Sequence, residues 1–198
     1  MAARPASALQ DAGTAARILD AAEKLVQVRG FNGFSYADVS AELGITKAAL
    51  HYHFAGKADL GLALITRYTD RFAGELATID RGRAAPADRL AGYTGLYARV
   101  VGQRRMCLCG MLAAEYQTLP QPMREAVTGF FDANETWLEK VLEEGRQGGT
   151  LDFPSSPRET ARVVIACLEG AMLVARPYGD EHRFQAVAAS LLSGLARD

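Results

Sequence analysis

Gly44 is the residue that most constrains how this chain can fold. It separates two short apolar-patterned runs within SYADVSAELGITKAALHYHFAGKADL, residues 35–60. Before it, Val39 and Leu43 stand four apart and share a helical face, with Ala41 small enough for close packing. Ser35, followed three residues later by Asp38, reads as a capping box that opens this run. After it, Thr46 can cap a helix over 47–54 whose inward residues are Leu50 and Phe54. Glycine accepts a positive φ, so the chain can turn sharply between the two. A short helix, a glycine turn and a second short helix form a helix-turn-helix pattern.

The rest of the chain also reads as helix. Strand-like alternation is absent, and Gly or Pro falls mainly between periodic segments. A first helix is expected over about 14–29, striped by Ile18, Ala22, Leu25 and Val26 and ended by Gly30. Another should start near Lys57 and continue through Leu60, Leu64, Tyr68 and Phe72. Further segments are expected over about 87–101, 106–118, 123–146, 157–176 and 181–195. The fold class is therefore all-α, with 1–13 as a flexible arm.

Composition narrows the setting. The 198 residues are 49% apolar and 23% charged, an ordinary globular balance. Three cysteines, an odd number, do not suggest a disulfide framework, so a reducing, cytoplasmic setting is expected. The N-terminus lacks the apolar stretch of a signal peptide, and no apolar run approaches the roughly 18 residues that span a bilayer. Net charge is −1, and in residues 1–60 six cations balance six anions. Any polyanion binding must come from local arrangement rather than bulk charge.

The helix over 47–54 offers such an arrangement. Thr46, Lys47, Ala48, His51 and Tyr52 lie off its Leu50/Phe54 stripe. Thr46 and Lys47 sit at its N-terminus, where free N–H groups and the dipole favour phosphate. A helix of this size fits a DNA major groove with its first residues against base edges. Lys57 opens the next helix and could hold a backbone phosphate there. The alternative is that Thr46 only caps, both lysines are solvated and Tyr52 is a surface aromatic. His51 and His53 point about 200° apart on a helix and cannot share a metal. No metal site is expected.

Residues 14–60 resemble the N-terminal domain of the TetR family of bacterial repressors. The resemblance rests on ILDAAEKLV, GFNGFSYADVSAELGI, TKAALHYHF and FAGKADL. It implies a DNA-binding helix-turn-helix domain over 1–56 and a ligand-binding and dimerisation domain over 57–198. It implies DNA contacts from Ser35, Thr46, Lys47, Ala48, His51, Tyr52 and Lys57. It further implies a homodimer on a palindromic double-stranded operator, released by a small apolar effector. One departure stands out: many relatives carry Tyr directly after the Leu of the recognition helix, where this chain has His51.

A second motif is CLCGMLAAEYQTLP, residues 107–120. Cys107 and Cys109 are either small buried hydrophobes or part of a redox or electrophile sensor. The sensor reading needs a thiol pKa lowered by a cation such as Arg104 or Arg105. Cys107 resembles the reactive position of one electrophile-sensing TetR-type branch, which would make the chain a thiol-based repressor. An aromatic and methionine set in the larger domain is mostly core. Relatives enclose a cavity among the corresponding helices, and Tyr93, Tyr97, Cys107, Met111, Trp137 and Met172 are the expected lining. ARVVIACLEGAMLVA and FQAVAASLLSGLA carry small residues that let helices approach closely, either across a dimer or within one core. No P-loop, GxGxxG, GxSxG or HExxH pattern appears, so neither catalytic residues nor a cofactor are expected. A helical small-molecule-binding protein or enzyme without DNA function is the rival reading.

Overall fold

The computed structural model describes residues 6–82 and 85–196, with side chains from Gly13 onward. Its helices are α1 (Ala6–Arg29), α2 (Tyr36–Leu43), α3 (Lys47–His53), α4 (Lys57–Gly82), α5 (Pro86–Gly102), α6 (Leu108–Ala114), α7 (Gln121–Gln147), α8 (Pro157–Ala175) and α9 (Glu181–Ser193). One-turn 3₁₀ segments follow α6 and α8. The only β pairing among the described residues is an isolated bridge between Leu151 and Ala196. The chain is all-α, as its periodicity requires.

Two expectations change. The arm expected over 1–13 is helical from Ala6, and residues 1–5 lie outside the described residues. Alanine has the highest helix propensity, and its frequency here outweighs the roughly 1 kcal/mol cost of Gly13 once α1 continues into an anchored stripe. The helix expected over 106–118 instead starts at Leu108 and ends at Ala114. Cys107 is its N-cap, with Sγ accepting the Gly110 N–H at 3.4 Å.

The first three helices form a small head. Asp38 accepts the Ser35 N–H at 2.8 Å and the Ser35 hydroxyl at 2.6 Å, fixing the start of α2. Arg29 lies 3.3 Å from the same carboxylate, and the Ser35 bonds and this charge hold Asp38 below the usual carboxylate range. Gly44 takes φ +65° at the turn, and Thr46 Oγ1 accepts the Ala49 N–H at 3.1 Å to open α3. Val39 and Leu50 are fully buried in the same core as Ile18, Ala22 and Val26. Val, Leu and Ile side chains buried in this way each contribute on the order of 1.5–3 kcal/mol.

The head is fastened to the body at several points. Glu23 of α1, buried, pairs with Arg67 at 2.9 Å and Arg71 at 2.5 Å, both on α4. The Met106 N–H donates to the Gln27 carbonyl at 3.2 Å. Arg176 donates to the Val28 carbonyl. Gly61 lets α4 pass close to α7 and the head, since a Cβ there would meet Met123 Sδ at 2.6 Å and Phe31 at 2.8 Å. In the body, α8 packs between α7 and α9 while α4 and α5 close over α7.

Candidate nucleic-acid interface and ligand chamber

Thr46, Lys47, Ala48, His51 and Tyr52 are all exposed, and Tyr52 is 74% accessible. Leu50 anchors the opposite side of α3 in the core. His51 Nδ1 lies 3.0 Å from the Ala55 carbonyl, so Nδ1 carries a hydrogen and donates it to the chain leaving α3. Its ring sits 4.8 Å from that of Tyr36, whose hydroxyl donates to the Phe54 carbonyl at 3.0 Å. Burial, with the Asp59 charge second, pushes the Tyr36 phenol up to about 12. His53 packs edge-on to Tyr52 at 5.2 Å. Among the described residues no group of histidine, cysteine or carboxylate side chains has metal-site geometry.

Lys57 is placed differently from the rest. Its ammonium donates to the Phe34 carbonyl at 2.5 Å and lies 4.7 and 4.4 Å from the ring centres of Phe31 and Phe34. Burial lowers its pKa. This lysine ties down the loop that delivers Ser35 to α2. Ser35 is exposed, but its hydroxyl is engaged by Asp38.

In the body, six rings from α4, α5 and α7 meet. Phe72 lies edge-on to Tyr93 at 6.0 Å, Tyr97 at 6.3 Å and Phe130 at 5.2 Å. Trp137 stacks on Tyr93 at 5.7 Å and donates Nε1–H to Asp80 at 3.0 Å. The Tyr93 and Tyr97 hydroxyls are 3.3 Å apart, and Tyr68 closes the cluster 5.6 Å from Phe130. A cleft of about 300 Å³ between α1, α4 and α5 has Tyr68, Phe72, Gln27 and Leu96 on its walls and the charged Glu23, Arg71, Glu75, Arg99 and Arg105 around them. Tyr93, Tyr97, Trp137 and Cys107 thus come together. Met172 instead lines a separate cleft of about 750 Å³ beside Met106 and Arg105, and Met111 Sδ accepts from Arg176 at 3.4 Å.

The thiols occupy the opposite environment from the one a sensor needs. Cys107 and Cys109 are buried, and burial, with Glu169 second, pushes both thiols well above the usual range. Neither Arg104 nor Arg105 lowers the Cys107 pKa. The Tyr68 hydroxyl reaches Cys107 Sγ at 3.7 Å.

Sequence reasoning missed Glu169, Glu115 and Phe72. Glu169 had a signal: it is the lone charged residue between Arg162 and Arg176 in an otherwise apolar helix. Glu115 had none, because its partners are the backbone N–H groups of Phe31 and Asn32, at 2.6 and 3.2 Å and more than eighty residues away.

Comparison with known proteins places this geometry in a family. Residues 18–64 match the bacterial regulatory proteins of the tetR family, and residues 86–191 match the tetracyclin repressor-like C-terminal domain. The transcriptional regulator AcuR of Cereibacter sphaeroides is 30% identical over 153 residues, 75% of this chain and 69% of AcuR. The transcriptional repressor NemR of Escherichia coli is 26% identical over 170 residues, covering 82% of this chain and 84% of NemR. The crystal structure of a TetR-family regulator from Agrobacterium tumefaciens superposes with a TM-score of 0.91 at 32% identity, covering 94% of this chain and all of that one. Such proteins are regulators rather than enzymes, and they usually act as dimers. The chain belongs to the TetR family of ligand-responsive, DNA-binding transcriptional regulators.

Proposed function

We propose that the chain is a repressor that holds a palindromic operator as a homodimer and releases it when a small effector with an apolar body enters among the six rings of α4, α5 and α7, which would open as a chamber. Residues 1–56 act as the DNA-binding domain and 57–198 as the ligand-binding and dimerisation domain. Thr46, Lys47, Ala48, His51 and Tyr52 face the major groove. Lys57 and Ser35 contribute by fixing the loop and helix that set the angle of α3. The protein works in the cytoplasm, where its operator lies; no described helix is long and apolar enough to cross a membrane.

The observation that carries this reading is the span of α6. Its N-cap, Cys107, touches Tyr68 of the chamber, and Glu115 just past its end grips the head. Movement of α6 against the rings would therefore shift the head. A coupling of about 3 kcal/mol would lower operator affinity by roughly two orders of magnitude. The partner face is formed by α8 and α9, where Val163, Leu173, Val174 and Val187 are exposed apolar residues. Twofold pairing there sets two α3 helices toward successive grooves.

Thiol chemistry at Cys107 as the trigger is not favoured, because the thiol is buried and held protonated. A gel shift with DNA from upstream of the protein's own reading frame tests the proposal at low salt. Salt-sensitive, two-to-one binding is expected. Failure to shift that DNA or the flanking intergenic DNA at 50 mM salt, where phosphate contacts are strongest, would sink it.

A further inference from the structure

Glu169 is an acid where α8 would otherwise be apolar. Its Oε1 is sealed from solvent without a close hydrogen-bond partner, and among the described residues the only donors near the carboxyl are the Cys107 thiol and the Tyr97 phenol. Its carboxyl lies against Gly110 of α6, where any Cβ would collide with it. The groups that face it are the Cys107 and Cys109 thiols on α6 and the Tyr97 phenol on α5, with Tyr93 and Tyr68 behind them. No lysine or arginine contributes to its ionisation. Buried charges in folded proteins are normally paired; this carboxyl has no counter-ion, and burial keeps it protonated until near neutral pH. Beside it stand the rings of Tyr97, Tyr93 and Tyr68, and Phe72 and Phe130 pack against those rings in turn. Aromatic faces attract cations, and more strongly once water is excluded.

We infer that Glu169 is the anchor of the effector site, and that the effector class is an organic cation: an ammonium group on an aromatic or aliphatic body. The ammonium supplies the charge the carboxylate lacks, and the body takes the place of the loosest ring contacts around Phe72. Phe72 is half-buried and lines the cleft between α1, α4 and α5, whose rim carries Glu23 and Glu75 beside Arg71, Arg99 and Arg105. This inference rests on the aromatic chamber being the effector site.

The test uses three probes of matched size, phenethylammonium, 2-phenylethanol and 3-phenylpropionate, with the full-length protein and calorimetric titration. Phenethylammonium should bind at least tenfold more tightly than either other probe. In Glu169→Gln, which keeps the volume and removes the charge, that preference should fall below threefold. A second readout needs no variant: the wild-type preference should grow from pH 6 to pH 8 as the carboxyl ionises, since an alkylammonium stays protonated throughout. Tyr68, Tyr93, Tyr97, Cys107 and Cys109 are all held neutral over that range. Equal or tighter binding of the anion, a cation preference that survives Glu169→Gln, a preference flat with pH, or no binding of any probe would each overturn the inference. Glu169-dependent cation binding without release of operator would leave the cation site standing but overturn its role as the effector site.

Discussion

The Glu115 carboxylate accepts the Phe31 N–H at 2.6 Å and lies within 3.2 Å of the Asn32 N–H, joining the segment after α6 to the turn between α1 and α2. Asn32 returns the contact by donating Nδ2–H to Thr118 Oγ1 at 2.7 Å. Charge-assisted bonds of this kind contribute roughly 1.5–3 kcal/mol. Glu115→Ala is expected to lose about 2 kcal/mol in urea melts. Amide exchange at Phe31 and Asn32 should accelerate, while Val39 in the α2 core should keep its protection. Unchanged exchange at Phe31 would mean that the carboxylate does not hold the turn.

Gly30 tests the same joint from the other side. Its φ is +84°, and a Cβ would stand 2.7 Å from Glu115 Oε1. Gly30→Ala therefore combines backbone strain of about 1–2 kcal/mol with displacement of the carboxylate. Because both changes break one contact, Gly30→Ala and Glu115→Ala should be sub-additive in a double-mutant cycle. Full additivity would separate the two sites.

Lys47 and Lys57 should part company in a salt titration. Lys47 is exposed at the N-terminus of α3, so Lys47→Ala should weaken operator binding and reduce the salt slope by about one. Lys57 is occupied by the Phe34 carbonyl and two rings, so Lys57→Ala should weaken binding with little change in slope. Matching slope changes in the two variants would return Lys57 to direct phosphate contact.

The contrast between these lysines also marks what could be read from sequence. Gly44, Thr46 and the Val39/Leu50 pattern are local signals, because caps, glycine turns and 3.6-residue periodicity act within a few residues. The head was legible for that reason. Where Lys57 sends its ammonium depends on Phe31 and Phe34, more than twenty residues earlier, and no local rule records it. The same holds for the chamber: the Tyr93 and Tyr97 spacing announces one helix face, but their meeting with Phe72 and Glu169 is set by helix packing. Cys107 was misplaced because CLCGML carries helical periodicity, while the structure uses its sulfur as a cap outside the helix.

Cys107 yields a simple labelling prediction. Its thiol is buried and protonated at neutral pH, so iodoacetamide should alkylate it more than tenfold more slowly than an unfolded-peptide thiol. Operator release by N-ethylmaleimide, if any occurs, should be the same in wild type and Cys107→Ser. Rapid alkylation of Cys107 in the native protein, with release abolished in the variant, would restore the thiol-sensor reading.

The last prediction concerns stability against pH. Burial raises the Glu169 carboxyl from 4.5 to about 7, against the weaker opposing effects of Cys107 and Tyr97. Below pH 4.5 the group is protonated in both folded and unfolded chains and costs nothing. Between about 4.5 and 7 the unfolded chain ionises while the folded one keeps its proton, so stability falls as pH rises. Above 7 both are ionised and the loss levels off, at no more than about 3 kcal/mol. Asp38 and Glu159, whose pKa values are lowered, act in the opposite sense and only in more acidic solution. Urea melts of wild type and Glu169→Gln at pH 5, 6, 7 and 8 isolate the contribution. The variant should gain on wild type steadily from pH 5 to 7 and hold that gain at pH 8. A constant difference across the series would mean that the carboxyl titrates as if exposed, and would leave the chamber without its uncompensated charge.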